Sequence, residues 1–453
     1  MQRVTVLTGR VAIAALVAGL ASAAPAGAQL AAEPELQPPQ LEGPAPDYLA
    51  ALRWEGVPRI RIPLPPEEIP GLDLVVRDAS APSYLAEVGL PVVHSIAIPP
   101  PPPGQPPAVV RGIYMNAWTF GSNRFYGLVA LADTTEINSF VIDVKDATGF
   151  ITYASNVPTA IEIGANGMIR VPNVRQRLAL LESKGIHTIA RIVVARDALL
   201  AKRKTEWAIR HKDGGLWRDG LGGPWVDAYH DSVWVYAAEI AAEAVLMGFK
   251  EIQFDYVRFP DEPKARMQNA VFVANTSGES KRSAQRRHVT MLGDRVRHLG
   301  VPFTLDVFGL TTSSTNGMGI GQYWDDLSEA ADVLLPMVYP SHYPRGSYGI
   351  RYPNAEPYRV VRRALEEGLM RSSRLRNPAT IRPYLQAFTL RRPRYTAAEV
   401  RAQIQAVEDV GLTDWVLWNA SGRYPAAAFR PKRRPPAYVA PVVGFEEGPL
   451  PQQ

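Results

Sequence analysis

Between residues 108 and 430 the chain alternates two kinds of apolar pattern. Short apolar runs, several with period-two alternation, read as buried strands at 109–117, 139–145, 187–194, 251–260, 302–308, 332–339, 381–388 and 414–419. Between them, apolar residues recur at helical spacing over 125–136, 174–183, 231–247, 283–298, 323–330, 357–367 and 397–408. Gly185 suits a helix C-cap after the second of these helices, and Asp231 suits the N-cap of the third. An eighth helical signal, 424–429, is no longer than a single turn. Strands and helices in strict alternation predict an α/β fold, a (β/α)8 TIM barrel. The open doubly wound sheet is the alternative. No Gly-rich phosphate loop follows any of the strands, which removes its usual nucleotide-binding reading.

The flanks read differently. Arg3 and Arg10 precede an apolar run over 11–23, and Ala26-Gly27-Ala28 follows, so residues 1–28 have the layout of a secretory signal peptide. The run is short for a membrane span, the alternative being an uncleaved anchor. Residues 29–107 are Pro-rich, with an unbroken proline run over 99–103 that favours an extended spacer. Residues 431–453 form a basic, Pro-rich tail. The expectation is an exported protein, periplasmic or extracellular, with no integral span once the leader is removed. The chain has no cysteine, so neither disulfides nor thiolate metal ligands are available to it. Its formal charge of +5 falls to +3 if Arg3 and Arg10 leave with the leader. With no long basic stripe interleaved with aromatics, nucleic acid is not an expected partner; the oligomeric state stays open.

The chemistry centres on Glu251-Ile252-Gln253-Phe254-Asp255-Tyr256-Val257-Arg258-Phe259-Pro260. Pro260 cannot donate a ladder hydrogen bond, so the strand is expected to stop there. Asp255 and Arg258 at a core strand's end form either a structural ion pair or part of a catalytic mouth, since barrel strand C-termini carry the chemistry. The other strand ends bring Tyr114, Asn116, Asp143, Lys145, Asp146, Arg191, Asp306, Tyr339, Gln386, Trp418 and Asn419 to the same mouth. Amides, carboxylates and flat rings suit sugar hydroxyls and the C–H faces of sugar rings. Glycosidic cleavage commonly uses two carboxyls, and Asp255 and Asp306 stand at matching depth on adjacent strands. The expected pair is Asp255 as nucleophile or stabiliser and Asp306 as acid/base. Asp143 either binds substrate or pairs with Lys145 on one strand face; Asp146 is read as capping the loop at Thr148-Gly149; Arg191 supports the carboxylates.

The loop after the third strand carries Trp207, Trp217, Trp225 and Tyr229 among five glycines. It is either a sugar-stacking lid, with Trp225 on the substrate, or a small core of its own. The seven histidines show no metal-ligand spacing, so no metal and no cofactor is expected. A divalent site made only of Asp143, Asp255 and Asp306 is the weaker option. No G-x-S-x-G elbow supports serine chemistry.

Several stretches together resemble a family. They are Arg111-Gly112-Ile113-Tyr114, Val141-Ile142-Asp143-Val144-Lys145-Asp146 with Gly149 and Ile151-Thr152-Tyr153, Glu206-Trp207-Ala208, Trp217-Arg218-Asp219, Trp225-Val226-Asp227, the stretch around Asp255, Leu335-Pro336-Met337-Val338-Tyr339-Pro340, and Trp415-Val416-Leu417-Trp418-Asn419. Over about 111–430 the chain resembles a bacterial glycoside hydrolase family long known as a domain of unknown function. The barrel of that family is related to the α-amylase and α-galactosidase type. The resemblance implies a (β/α)8 barrel, a glycosidase-like site and a role in polysaccharide handling. It implies the nucleophile at Asp255. The fifth-strand acid is usually glutamate in amylase-type enzymes, where this chain has the shorter Asp306; galactosidase-type enzymes take the acid from strand six, where this chain has Tyr339 and no carboxylate. A glycan-binding envelope protein on a retired barrel is therefore the alternative function, and a metal-dependent deacetylase a third.

Overall fold

The computed structural model of the protein describes residues 106–432. The expected leader, nearly all of the Pro-rich extension and the tail beyond Lys432 lie outside the described residues. Eight staves form one parallel sheet: β1 (Arg111–Met115), β2 (Ser139–Lys145), β3 (His187–Val193), β4 (Glu251–Asp255), β5 (Phe303–Phe308), β6 (Val333–Met337), β7 (Thr380–Ile381 and Tyr384–Gln386) and β8 (Trp415–Trp418). Sequential staves pair, and β8 returns to β1 through Arg111 opposite Trp415, which closes the cylinder. β7 is broken at Arg382-Pro383 because proline cannot donate to the ladder, yet both its pieces pair with β6.

Helices α1 (Arg124–Thr134), α2 (Val174–Ser183), α3 (Asp231–Met247), α4 (Lys281–Arg297), α5 (Trp324–Ala330), α6 (Pro357–Ser372) and α7 (Ala397–Asp409) join the staves. The (β/α)8 barrel expected from the alternating pattern is the architecture observed. Among the described residues no helix is long and apolar enough to cross a membrane. Several boundaries differ from expectation, three of them as follows. The N-cap of α3 is His230, whose ring accepts the Ser232 N–H; Asp231 is already helical. The stave at Asp255 does not run on to Pro260. Tyr256 adopts a left-handed φ of 53°, which turns the backbone four residues earlier, and no local signal forecasts that conformation in an aromatic residue. After 424, only the 3-10 turn Ala426–Ala428 forms.

Strand alternation sorts the side chains into two layers. Ile252 and Phe254 of β4 join the large apolar layer between sheet and helices. Gln253 and Asp255 of the same strand engage groups inside the cylinder. A second apolar cluster fills that interior, with Tyr114, Val141, Ile189, Leu335, Tyr384 and Val416. At its N-terminal floor, the fully buried Glu251 accepts hydrogen bonds from Arg382 (2.5 Å) and Thr304 (2.8 Å) and faces His187 Nε2 at 3.0 Å. Burial opposes the charge on Glu251, but Arg382 and then His187 outweigh it and hold the carboxyl down at about 2. The polar ends of these staves are thus neutralised below, leaving the upper end for chemistry.

Candidate active site

Arg191, on β3, is the hub of the upper layer. Its Nη1 donates to Asp143 Oδ1 at 2.6 Å, and its Nη2 and Nε donate to Asp255 Oδ2 at 2.5 and 3.1 Å. The same Nε stands 3.8 Å from Asp306 Oδ2. The two carboxylate oxygens therefore lie within about 7 Å of each other, a span that admits both retaining and inverting spacing. Tyr114 completes the hub: its hydroxyl donates to Asp143 Oδ2 at 2.5 Å, and its ring stacks on Trp418 at 3.7 Å. Trp418 in turn lies 5.0 Å from the Arg191 guanidinium. Burial alone would strip the charge from Arg191, but Asp143 and Asp255 outweigh it and hold the guanidinium well above its ordinary value. A fixed guanidinium thus stands among the carboxylates that a divalent cation would need, and among the described residues no acidic or histidine cluster has the arrangement of a metal site.

Asp306 and Asp255 share a level. The register pairs Gln253 with Thr304 and Phe254 with Leu305, which brings the next residues abreast. Their environments differ. Asp255 lines the pocket at the mouth; Asp306, 1% exposed, does not. Burial, then the charge on Asp255, raises Asp306 well above the ordinary carboxyl range and favours its neutral form. Gln253 Nε2 donates to its Oδ2 at 2.8 Å, whereas its Oδ1 and the nearby Tyr339 hydroxyl are buried without partners among the described residues.

The pocket wall is built by Arg191, Asp255, Arg258, Tyr339 and Trp418 from the expected set, with Tyr256, Asp261, Phe308, Met337, His342 and Tyr343 beside them. Asp261 escaped the sequence reading: it follows the proline at which the strand was expected to stop, and nothing local marks it as facing a cleft. Burial raises its pKa, with Arg258 opposing. His342 falls to about 4 through burial and then the charge on Arg391, so its ring is neutral in the pocket.

Several expected residues stand elsewhere. Lys145 does not pair with Asp143. The ladder slips between Asp143 and Lys145, and the lysine, fully buried, reaches Asp197 at 2.6 Å instead. Asp146 caps its loop as expected, accepting from the Thr148 N–H at 2.9 Å. The three amides are consumed by backbone that crosses between loops. Asn116 accepts from Thr119 N and donates to Ala420 O, both at 2.7 Å. Asn419 donates to Ala387 O (2.6 Å) and Arg423 O (2.7 Å). Gln386 accepts from Ser341 N at 3.1 Å and donates to Phe388 O at 2.9 Å.

The tryptophan loop is a small core rather than an open lid. Trp217 is buried and donates to Arg266 O; Trp225 is buried and donates to Asp219 Oδ2 at 2.9 Å. Trp225 still touches the mouth from behind, with Arg258 5.1 Å from its ring.

A closed (β/α)8 cylinder with carboxylates and rings at its C-terminal mouth has these groups where barrels of this kind carry their chemistry. The chain belongs to the family described as "Putative glycosyl hydrolase domain", whose model matches residues 112–424. Among solved structures it is similar to a hypothetical protein from Ruminiclostridium thermocellum, at 38% identity, covering 40% of this chain and 92% of that one, with a TM-score of 0.37. It is similar to the PgaB (BpsB) glycoside hydrolase domain from Bordetella bronchiseptica at 14% identity, covering 72% of this chain and 100% of that one, with a TM-score of 0.50. A chitinase from Chromobacterium violaceum matches at 14% identity, over 71% of this chain and 98% of that one, with a TM-score of 0.43. No curated protein matches the chain.

Proposed function

We propose that the protein is an exported glycoside hydrolase that cleaves a polysaccharide, with Asp255 acting on the anomeric carbon. One observation carries this reading: Asp255 lies on the pocket wall with its Oδ2 held by Arg191, and a second carboxyl, Asp261, lines the same pocket and is pushed toward its protonated form. A carboxylate fixed by a guanidinium is preorganised for attack, and a carboxyl with a raised pKa is suited to give up a proton to a leaving oxygen. Asp255 Oδ1 accepts the Tyr256 N–H at 2.6 Å, so the left-handed turn at Tyr256 fixes the aspartate's orientation.

In the proposed sequence a carboxylate oxygen of Asp255 bonds to the anomeric carbon as the glycosidic C–O bond breaks. Asp261 protonates the departing oxygen. Water then displaces Asp255 from the sugar and returns a proton to Asp261. Asp306, expected to be the acid, is sealed behind Asp255; we give it the supporting task of holding a neutral carboxyl beside Asp255 rather than a second negative charge. The aromatic faces of Trp418 and Tyr339 supply sugar-ring contact.

Release of reducing ends from a glycan panel by the wild type and by Asp255→Asn tests the proposal. Cleavage by the wild type and its loss in a folded variant is the expected result. Glycan binding without cleavage by either protein would instead place the chain among glycan-binding proteins built on this barrel, and would overturn the enzyme.

A further inference from the structure

Five arginines, Arg345, Arg351, Arg391, Arg392 and Arg394, line one open groove at the barrel mouth, together with Tyr352. The groove is formed by the loops after β6 and β7 and has a volume of about 850 Å³, within the range of ligand sites. It runs into the pocket that holds Asp255: Tyr343 lines both, and its loop neighbours His342 and Ser341 face the pocket and the groove respectively.

None of the five guanidiniums forms an ion pair with a carboxylate of the described residues. The chain's other surface arginines commonly do, as Arg282 does with Asp326, Arg287 with Asp231 and Glu279, and Arg362 with Glu366. Gathering like charges without counter-charge costs electrostatic energy, and a cleft of one sign focuses the field on an opposite charge. Nor are the two loops brought together by chance contact. Asn354 Nδ2 donates to Leu390 O at 3.1 Å and to Arg392 O at 3.0 Å, and the Tyr395 hydroxyl donates to Asn354 O at 3.1 Å. Arg391 itself is held at a left-handed φ of 63°. Tyr352 is 53% exposed, with Arg345 and Arg351 packed at 4.9 and 5.3 Å from its ring, which makes a flat platform edged with positive charge.

A second observation lies inside the pocket. Arg258 is 3% exposed, and its one hydrogen bond among the described residues is from Nη1 to Phe259 O at 3.1 Å. It is boxed by Phe308, Tyr256 and Trp225 at 4.5, 4.7 and 5.1 Å; burial weakens its charge, and Asp261 and Asp255 oppose that only from beyond ion-pair contact. A buried guanidinium that lines a pocket with donors to spare is costly unless an anion completes it.

We infer that this barrel takes an acidic polysaccharide, one whose sugars carry carboxylate or sulfate groups, with one anionic group on Arg258 and the following ones along the arginine groove. Calling that glycan the substrate rests on the hydrolase reading above; the binding itself does not. Guanidinium forks match carboxylate and sulfate oxygens, and the Tyr352 ring suits a sugar face. A nucleic acid would meet the same charges but would need stacking platforms for successive bases, and Tyr352 is the single exposed ring among the groove residues.

Isothermal titration of the full chain with polygalacturonate oligomers, heparin fragments, neutral cello-oligosaccharides and a single-stranded DNA 20-mer tests the inference, with Arg351→Ser/Arg391→Ser and Asp255→Asn as variants. The expected result is salt-sensitive binding of one of the two acidic glycans and none of the neutral one. The polyuronate and the sulfated glycan separate the two sources of negative charge. The double variant, altered at two exposed positions outside the catalytic groups, should bind that glycan about tenfold or more weakly. Asp255→Asn keeps the arginine groove and should still bind it. Binding of an acidic glycan without cleavage sinks the hydrolase and leaves this inference standing. Cleavage of the neutral glycans alone, equal binding by the double variant, or tighter binding of DNA than of either acidic glycan overturns it.

Discussion

Replacing Arg191 with leucine removes the cation shared by Asp143, Asp255 and Asp306 while keeping apolar bulk. All four side chains are nearly buried, with exposures of 1–7%. In the wild type, Arg191 makes one 2.6 Å contact to Asp143 and a 2.5 Å contact to Asp255. Breaking a buried ion pair by removing one partner costs about 3–5 kcal/mol, because the other charge is left uncompensated. Here two carboxylates lose their direct partner, so the upper part of that range applies at pH 7. For a domain of this size an unfolding entropy of about 2 cal/mol/K per residue makes each kcal/mol worth roughly 1.5 °C, so a fall of roughly 6–7 °C is expected. The pH dependence carries the sharper test. Without the cation, the buried carboxyls take pKa values above their unfolded ones, and such groups destabilise as pH rises past the unfolded value near 4. The loss relative to wild type should therefore shrink as pH falls from 7 toward 4. Differential scanning fluorimetry across that range measures it. A Tm unchanged at pH 7, or a deficit that stays constant down to pH 4, would refute the hub.

Other expectations follow from the same structure. Glu251 is held at about 2, so its stabilisation, about 3 kcal/mol from a shift of this size, is present above pH 4.5 and lost as pH falls from 4.5 to 2. Glu251→Gln should be less stable than wild type at pH 7 and match it near pH 2 in denaturant melts. Trp217→Ala should cost about 3–5 kcal/mol, measured by urea unfolding, because that ring is 1% exposed within the loop's own core; a loss under 1 kcal/mol would return the loop to the lid reading. Asp261→Asn should lose far more of the first, bond-breaking step toward glycans with poor leaving groups than toward nitrophenyl glycosides, whose aglycone departs without a proton and is read as a burst of nitrophenol. Equal losses on both would remove Asp261 as the proton donor.

The barrel was legible because each stave is an apolar run and each joining segment carries a helical period, so two short-range patterns alternate without interruption. β2 and α2 match their predicted bounds residue for residue. The site was legible in kind and less so in placement. Asp255 and Trp418 end staves, Arg191 and Tyr339 lie within two residues of a stave end, and stave ends converge by geometry alone. Lys145 was misplaced because a slip in the ladder moves a side chain to the other face, and no residue announces the slip. The amides of Asn116, Gln386 and Asn419 were expected to meet sugar hydroxyls, but the loops around them carry backbone groups whose need for partners appears only once the loops cross. Tyr256 belongs to the same class: a left-handed aromatic turn has no propensity signal. The arginine groove shows the limit most plainly. Its charges come from 345–351 and 391–394, too far apart in the chain to read as a basic stripe, and only the adjacency of β6 and β7 brings them together.

Chemical rescue tests the role of Asp255 most directly. Asp255→Ala leaves a small gap beneath the anomeric carbon, into which azide can enter as an external nucleophile. The expected result is a folded variant that is inert alone and that turns over an activated aryl glycoside when azide is added, yielding the glycosyl azide. A variant that keeps the wild-type rate without azide, or that forms no glycosyl azide on a substrate the wild type cleaves, would contradict it.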